Sequence, residues 1–243
     1  ASIAGTGAEV FNVVPPGANP HTYEPTPSSV KAIQSADIFI GVHPEFDGWV
    51  RRFLRPGARS VFIASDAHAN PHVWLSLKKA LGIAHTAAAM LSMADPAREA
   101  MYNANLQKFH SEISALDRET ASLFHNVKNP RFIQWHASWD YFAADYGLIV
   151  AATLQSGHGD DSSIKSFSDT VRLAKEHNIT AIVVDLNIKS RAVESLVREI
   201  GGVEVRLYGT GDPSNPRTAR YADMMLFNAR ALADALKRQD ETR

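Results

Sequence analysis

Short runs of β-branched and aromatic residues alternate with helical patterns along most of this chain, and that alternation limits the fold more than any other feature. A strand, a helix and another strand in succession are typical of a parallel sheet, because the helix carries the chain back across the sheet. We therefore predict an α/β protein. Strands are expected at 9–14, 37–42, 60–65, 131–135, 148–154, 180–185 and 203–207, and helices at 28–35, 46–54, 139–145, 166–177, 191–200 and 218–237.

One long helix is predicted between the two groups of strands. The stretch from Ala97 to Asn129 contains neither glycine nor proline, and Asp95 followed by Pro96 is a typical helix start. About 30 residues in a helix would span roughly 45 Å. An ordinary surface helix, interrupted by tertiary contacts, is the alternative. The expected apolar seam consists of Tyr102, Leu106, Phe109, Ile113, Leu116, Thr120 and Leu123.

The composition excludes several classes of protein. The 243 residues are 45% hydrophobic and 21% charged, with a formal net charge of −1, so neither nucleic-acid binding nor membrane insertion is indicated. The absence of cysteine rules out disulfides, thiolate zinc sites and the acylated cysteine of a lipoprotein in this sequence.

Four residues on separate loops are candidate metal ligands. His21 lies in PPGANPHTYEPTPSS, His72 in NPHVW, His136 in RFIQWHASWDYF and Asp212 in LYGTGDPSNP, each after a predicted strand. Loops at the carboxyl ends of parallel strands converge, and three imidazoles with one carboxylate satisfy tetrahedral Zn²⁺. Taken singly, each histidine is more often a surface or packing residue, and aspartate before proline is a common turn residue.

Other titratable residues rank below these four. His158 lies in the acidic loop QSGHGDDSS, which is more often simply a solvated loop, and His68 lies close to His72. His43 follows the predicted strand 37–42, and Asp185 ends the predicted strand 180–185. Either residue could support a ligand or replace one. Asp185 and Glu45 remain alternatives to Asp212 as the carboxylate. His85, His110, His125 and His177 fall on helical patterns and are expected to be surface or packing residues.

The quoted segments resemble the signatures of the ZnuA-like substrate-binding proteins of bacterial ABC importers for zinc and manganese. PPGANPHTYEPTPSS, NPHVWL and a third histidine ahead of YFAADYGL stand here in the family's order, and the resemblance covers nearly the whole chain. It implies two parallel-sheet α/β lobes, 1–94 and 129–243, joined by one long helix at 95–128, with the metal between the lobes. The family's fourth ligand is an acidic residue beyond the last strand, a position that Asp212 fills when counted from Gly201 and Gly202.

The resemblance also implies a function and a location. It indicates a non-enzymatic periplasmic protein, its signal peptide removed, that acts as a monomer and delivers its metal to an inner-membrane ABC permease. The family usually has aspartate where this sequence has Asn19, Asn70 and Ser76, which reduces the charge on residues that support the ligands. The histidine-rich loop of many zinc-binding members is absent from this sequence.

The residue types favour zinc as the metal. Imidazole-rich sites suit Zn²⁺, whereas sites richer in oxygen suit Mn²⁺, and Mn²⁺ or Fe²⁺ remains an alternative. Binding should weaken below about pH 6 to 6.5, because each imidazole must be neutral to coordinate. A zinc hydrolase with an open metal position, using Asp185 or Asp212 as base, is a rival of another class. A soluble metal chaperone would share the same site.

Overall fold

The parallel-sheet α/β prediction is confirmed. The computed structural model describes residues 1–16, 18, 21–64, 70–155, 164–186 and 188–241. All the paired strands in these residues run parallel. The chain divides into two compact units, Ala1–Ala115 and Leu116–Arg243. The division into 1–94, 95–128 and 129–243 stays a prediction. Across the described residues, no helix combines the length and the apolar character needed to cross a membrane.

The first unit contains a small sheet in which β1 (Ile38–Gly41) pairs with β2 (Arg59–Phe62). Helix α1 (Pro27–Ser35) precedes this sheet, and its start is fixed by the Thr26 hydroxyl, which accepts a hydrogen bond from the Ser29 backbone N–H. The remaining elements are α2 (Pro44–Asp47), a 3₁₀ turn (Gly48–Phe53), a second 3₁₀ turn (Val73–Leu75) and α3 (Leu77–Ala94).

One strand prediction for this unit was wrong, and one helix was missed. Residues 9–14 form no strand, and Val10 and Phe11 are exposed. An apolar run becomes a strand only where a neighbouring strand accepts its backbone hydrogen bonds, and in the described sheet β1 and β2 pair only with each other. Helix α3 was not predicted. Ser76 caps it by accepting a hydrogen bond from the Lys79 backbone N–H.

The long helix is present and shorter than predicted. After a 3₁₀ turn (Pro96–Arg98), α4 runs from Glu99 to Phe124, a length of about 39 Å, so it contributes residues to both units. It ends before Asn129 because the backbone N–H groups of Lys128 and Asn129 donate instead to the Asp240 carboxylate. Within the predicted seam, the buried members are Tyr102, Leu106, Ile113, Leu116 and Thr120.

The second unit is built on a four-stranded sheet with the order β4-β3-β5-β6. The strands are β3 (Arg131–His136), β4 (Ile149–Gln155), β5 (Ala181–Asp185) and β6 (Val203–Leu207). The helices are α5 (Asp140–Asp145), α6 (Ile164–Glu176), α7 (Arg191–Ile200) and α8 (Tyr221–Glu241).

One buried glutamine fastens the amino ends of the central strands. The Gln239 amide donates to the Asn129 and Arg131 carbonyls and accepts from the Thr180 and Ala181 backbone N–H groups. These bonds fix β3 and β5 relative to each other. At the opposite edge the two strands end at His136 and Asp185, so two candidate residues of the site lie on neighbouring strand ends.

Candidate metal centre

Two of the predicted ligands meet within the first unit. The Nε2 atoms of His21 and His72 are 3.2 Å apart, and the ring centroids are 5.2 Å apart. Two imidazole nitrogens bound to one tetrahedral zinc at about 2.05 Å would stand roughly 3.3 Å from each other. The spacing of this pair therefore nearly matches that of two nitrogens on one metal ion.

A hydrogen bond to Asn70 selects the tautomer of His72. The Asn70 Oδ1 accepts from the His72 backbone N–H at 3.0 Å and lies 2.7 Å from the ring Nδ1. Because that oxygen accepts both bonds, Nδ1 carries the proton and Nε2 carries the lone pair that a metal requires. In the metal-free pair, the His21 Nε2–H then donates to His72, and a metal ion would take the place of that proton.

Aromatic rings surround the two imidazoles. Phe46 and His21 make a T-shaped contact with ring centroids 4.9 Å apart, and the ring centroids of Trp74 and His72 are 5.3 Å apart. His72 itself is 5% exposed. These rings limit the access of water to the nitrogens, which strengthens electrostatic interactions there.

His43, a lower-ranked candidate, has a structural role in the same unit. It is buried, and its Nδ1 accepts a hydrogen bond from the Glu45 backbone N–H at the start of α2. The Asp47 carboxylate accepts from the backbone N–H groups of Val42 and His43. The ring nitrogen Nδ1 is therefore committed to capping the helix.

In the second unit His136 is the last residue of β3, and the turn after it is held by Gln134. The Gln134 side chain is buried, accepts from the Trp139 backbone N–H and donates to the Asp140 carboxylate at 2.7 Å. Trp139 packs edge-on against Phe142 in the core. These contacts fix the backbone on either side of His136.

Asp212 lies in the loop after β6 and is hydrogen-bonded within that loop. Its Oδ1 accepts from the Ser214 hydroxyl at 2.7 Å and from the Ser214 backbone N–H at 2.9 Å. Both bonds lower the pKa of the Asp212 carboxyl below its ordinary value. The Asp212 backbone N–H donates to the Thr218 hydroxyl, so the loop is closed on itself.

Asp185, the last residue of β5, has different surroundings. Its Oδ1 is buried and accepts no hydrogen bond from the part of the chain that the structure describes. Burial raises the pKa of the Asp185 carboxyl to about 6. A Cβ added at Gly209 would lie 3.2 Å from this oxygen, so the glycine leaves room for the carboxylate.

Comparison with known proteins decides the family. The model of the family described as zinc-uptake complex component A, periplasmic (ZnuA), matches residues 1–235. This chain belongs to the ZnuA family. Members of that family are components of a metal-uptake system and are not enzymes.

Proteins similar to this chain include transport proteins named for two metals. The high-affinity zinc uptake system protein ZnuA of Bacillus subtilis (strain 168) is 26% identical, over 94% of this chain and 81% of its own length. The manganese ABC transporter substrate-binding lipoprotein PsaA of Streptococcus mitis is 21% identical, over 97% of this chain and 84% of its own. A crystal structure of ZnuA superposes with a TM-score of 0.85 at 27% identity and covers 97% of this chain and 93% of its own.

Within this ZnuA family member, the ligand predictions have different outcomes. His21 and His72 lie together, although His21 does not follow a strand and His136 ends a strand instead of following one. His68 and His158 lie outside the described residues. The hydrogen bonds of Asn70 and Gln134 were not predicted. A polar residue inside the apolar strand RFIQW was the available signal for Gln134.

Proposed function

We propose that this protein captures one divalent metal ion, Zn²⁺ in the first place and Mn²⁺ as the alternative, and delivers it to an ABC permease. Its ligands are His21, His72, His136 and one carboxylate, for which the sequence nominates Asp212. The protein acts in the periplasm as a monomer. The observation that supports this most strongly is the His21–His72 pair, with Nε2 atoms 3.2 Å apart, in a member of the ZnuA family.

The donor set supports zinc over manganese. Imidazole nitrogen is a favourable ligand for Zn²⁺, and Asn70 presents the His72 lone pair without a change of tautomer. The similar proteins named for zinc uptake and for manganese transport make both ions reasonable cargo. By the Irving–Williams order the same ligands bind Mn²⁺ more weakly, so supply also governs which ion is carried.

Calorimetric titration of the metal-stripped protein with Zn²⁺ and then Mn²⁺ tests this proposal. We expect one tight zinc site and weaker manganese binding. His21→Ala and His136→Ala remove one proposed ligand from each unit and should each weaken zinc binding by roughly 100-fold or more. His85→Ala is the matched control, because His85 is exposed on α3. Equal zinc affinity in all three variants would refute the proposal.

Delivery is tested separately from binding. Purified permease in proteoliposomes should transport Zn²⁺ only when the loaded protein is supplied on its outer side. Transport that proceeds equally well with free Zn²⁺ alone would contradict the delivery role and leave the binding site intact.

A further inference from the structure

Two candidate ligands, His136 and Asp185, are the last residues of neighbouring strands in the second unit's sheet. Strands β3 and β5 are paired in parallel, with Ile133 opposite Ile182 and Gln134 opposite Val183. Continuing this register by two residues places His136 opposite Asp185, the residues at which the two strands end. Neighbouring strands are about 4.8 Å apart, and residues in register point to the same face.

Among the described residues, the Asp185 Oδ1 lacks the hydrogen bonds that a buried carboxylate oxygen normally accepts. The atom is buried, and Gly209, where an added Cβ would lie 3.2 Å from this oxygen, offers no side chain. An ionised carboxylate in such surroundings is costly unless a cation or several donors compensate it. A metal ion would supply that compensation.

The backbone that carries Asp185 is held firmly in place. The Arg206 guanidinium donates to the carbonyls of Leu186 and Ile188, just beyond the strand end. The Ile188 backbone N–H donates to the Asp185 carbonyl at 2.9 Å. The carboxylate therefore extends from a fixed support, as a metal ligand requires.

Asp212 differs in each of these respects. Its Oδ1 already accepts two hydrogen bonds from Ser214, and these organise its own loop. A metal ion at that oxygen would compete with both bonds. Asp185 has no such bond to lose at Oδ1 within the described chain.

We propose that Asp185, in place of Asp212, is the carboxylate that binds the metal ion beside His136. This inference rests on the metal capture proposed above and names one of its ligands. The resulting set is three imidazoles and one carboxylate, which suits tetrahedral Zn²⁺.

Competition titrations against a chromophoric zinc chelator test the assignment. Asp185→Asn keeps the shape and removes the charge, Asp212→Asn makes the same change at the rival residue, and Asp234→Asn is a control on the exposed face of α8. We expect Asp185→Asn to weaken Zn²⁺ binding about 100-fold and the other two to change it less than about threefold. The visible spectrum of the Co²⁺-substituted protein should shift in Asp185→Asn alone.

Each outcome is informative. Weak binding in Asp212→Asn with normal binding in Asp185→Asn overturns the assignment, and so does normal binding in both while His72→Ala loses zinc. A wild-type protein that binds neither Zn²⁺ nor Mn²⁺ refutes the proposed function instead. The thermal midpoint of the metal-free Asp185→Asn protein, expected to match or exceed that of wild type, excludes misfolding as the cause of weak binding.

Discussion

The His72 ring of the first unit and the Asp185 Oδ1 of the second are both buried, but among the described residues only the His72 ring has hydrogen-bond partners. The His72 Nδ1 donates to Asn70, and its Nε2 lies 3.2 Å from His21. The Asp185 Oδ1 has no hydrogen bond from the described residues. A buried polar group with hydrogen-bond partners reduces the stability of the metal-free protein little. A buried polar group without partners lowers that stability.

The proposed ligands of the two units also differ in what fixes their positions. His21 and His72 lie outside strands and helices and depend on side-chain contacts for their orientation. His136 and Asp185 are terminal residues of paired strands, so the sheet itself fixes them. We therefore expect substitutions around the histidine pair to change affinity, and substitution of Asp185 to change both affinity and stability.

Removal of His72 should have the largest effect. His72→Ala deletes one of the four proposed ligands, and the binding free energy of a four-ligand zinc site corresponds to roughly 10²- to 10³-fold in affinity per ligand. Competition titration with a zinc chelator measures the loss. His110→Ala, at an exposed position on α4, should leave the affinity unchanged. Wild-type zinc affinity in the His72→Ala protein would show that the histidine pair of the first unit does not bind the metal.

Neutralising Asp185 should stabilise the metal-free protein. The folded-state pKa of about 6 lies above the ordinary unfolded value near 3.9, so ionisation is disfavoured in the folded protein. The resulting penalty is absent below about pH 4, grows as the pH rises towards 6 and is complete above it. At pH 7.5 it amounts to about 3 kcal/mol at most, given 1.36 kcal/mol for each pKa unit.

Urea denaturation of metal-free wild type and Asp185→Asn at both pH values checks this expectation. The variant should be more stable at pH 7.5 and nearly equal at pH 4. Equal stability at both values would show that the protein compensates the Asp185 charge, and the contrast with His72 would disappear.

The regular parts of the second unit were predictable from its sequence because its strands are short runs that are mainly apolar or alternate between apolar and polar residues. RFIQW and TAIVVD correspond to β3 and β5, and the Gly- and Pro-free stretch, which contributes to both units, contains α4. The run at 9–14 is also rich in β-branched and aromatic residues and forms no strand, because pairing depends on a partner strand that the local sequence does not specify. Helix α3 was missed because its buried face consists largely of alanines, which give a weak apolar signal.

The candidate site shows the same limit. Histidine types and spacing nominated His21 and His72, and the fold brings them together. The accepting role of Asn70 depends on the local conformation of the loop, and the lack of partners at Asp185 depends on the neighbouring strand and on Gly209. Such relations arise from tertiary structure, so residue identity alone does not reveal them.

Asn70 should have an intermediate effect. Asn70→Ala removes the acceptor that keeps the proton on the His72 Nδ1, and loss of such a supporting residue typically costs 10- to 100-fold in metal affinity, about 10-fold here. Asn70→Asp keeps the acceptor, adds charge and should restore or exceed wild-type affinity. Nitrogen NMR shifts of His72 report the tautomer directly. An unchanged tautomer in Asn70→Ala would show that another contact selects it.

The smallest effect is expected at Ser214, and it tests which aspartate completes the site. Ser214→Ala removes the hydroxyl that lowers the pKa of the Asp212 carboxyl, so that pKa should rise towards its ordinary value in a carboxyl NMR titration. If Asp185 is the ligand, zinc affinity should stay within about threefold of wild type, as for most surface substitutions. A marked gain in zinc affinity would mean that Asp212 is a ligand and that its hydrogen bond to the Ser214 hydroxyl weakens metal binding. The carboxylate of the site would then lie on a loop, and His136 would be the only one of the proposed ligands that ends a strand.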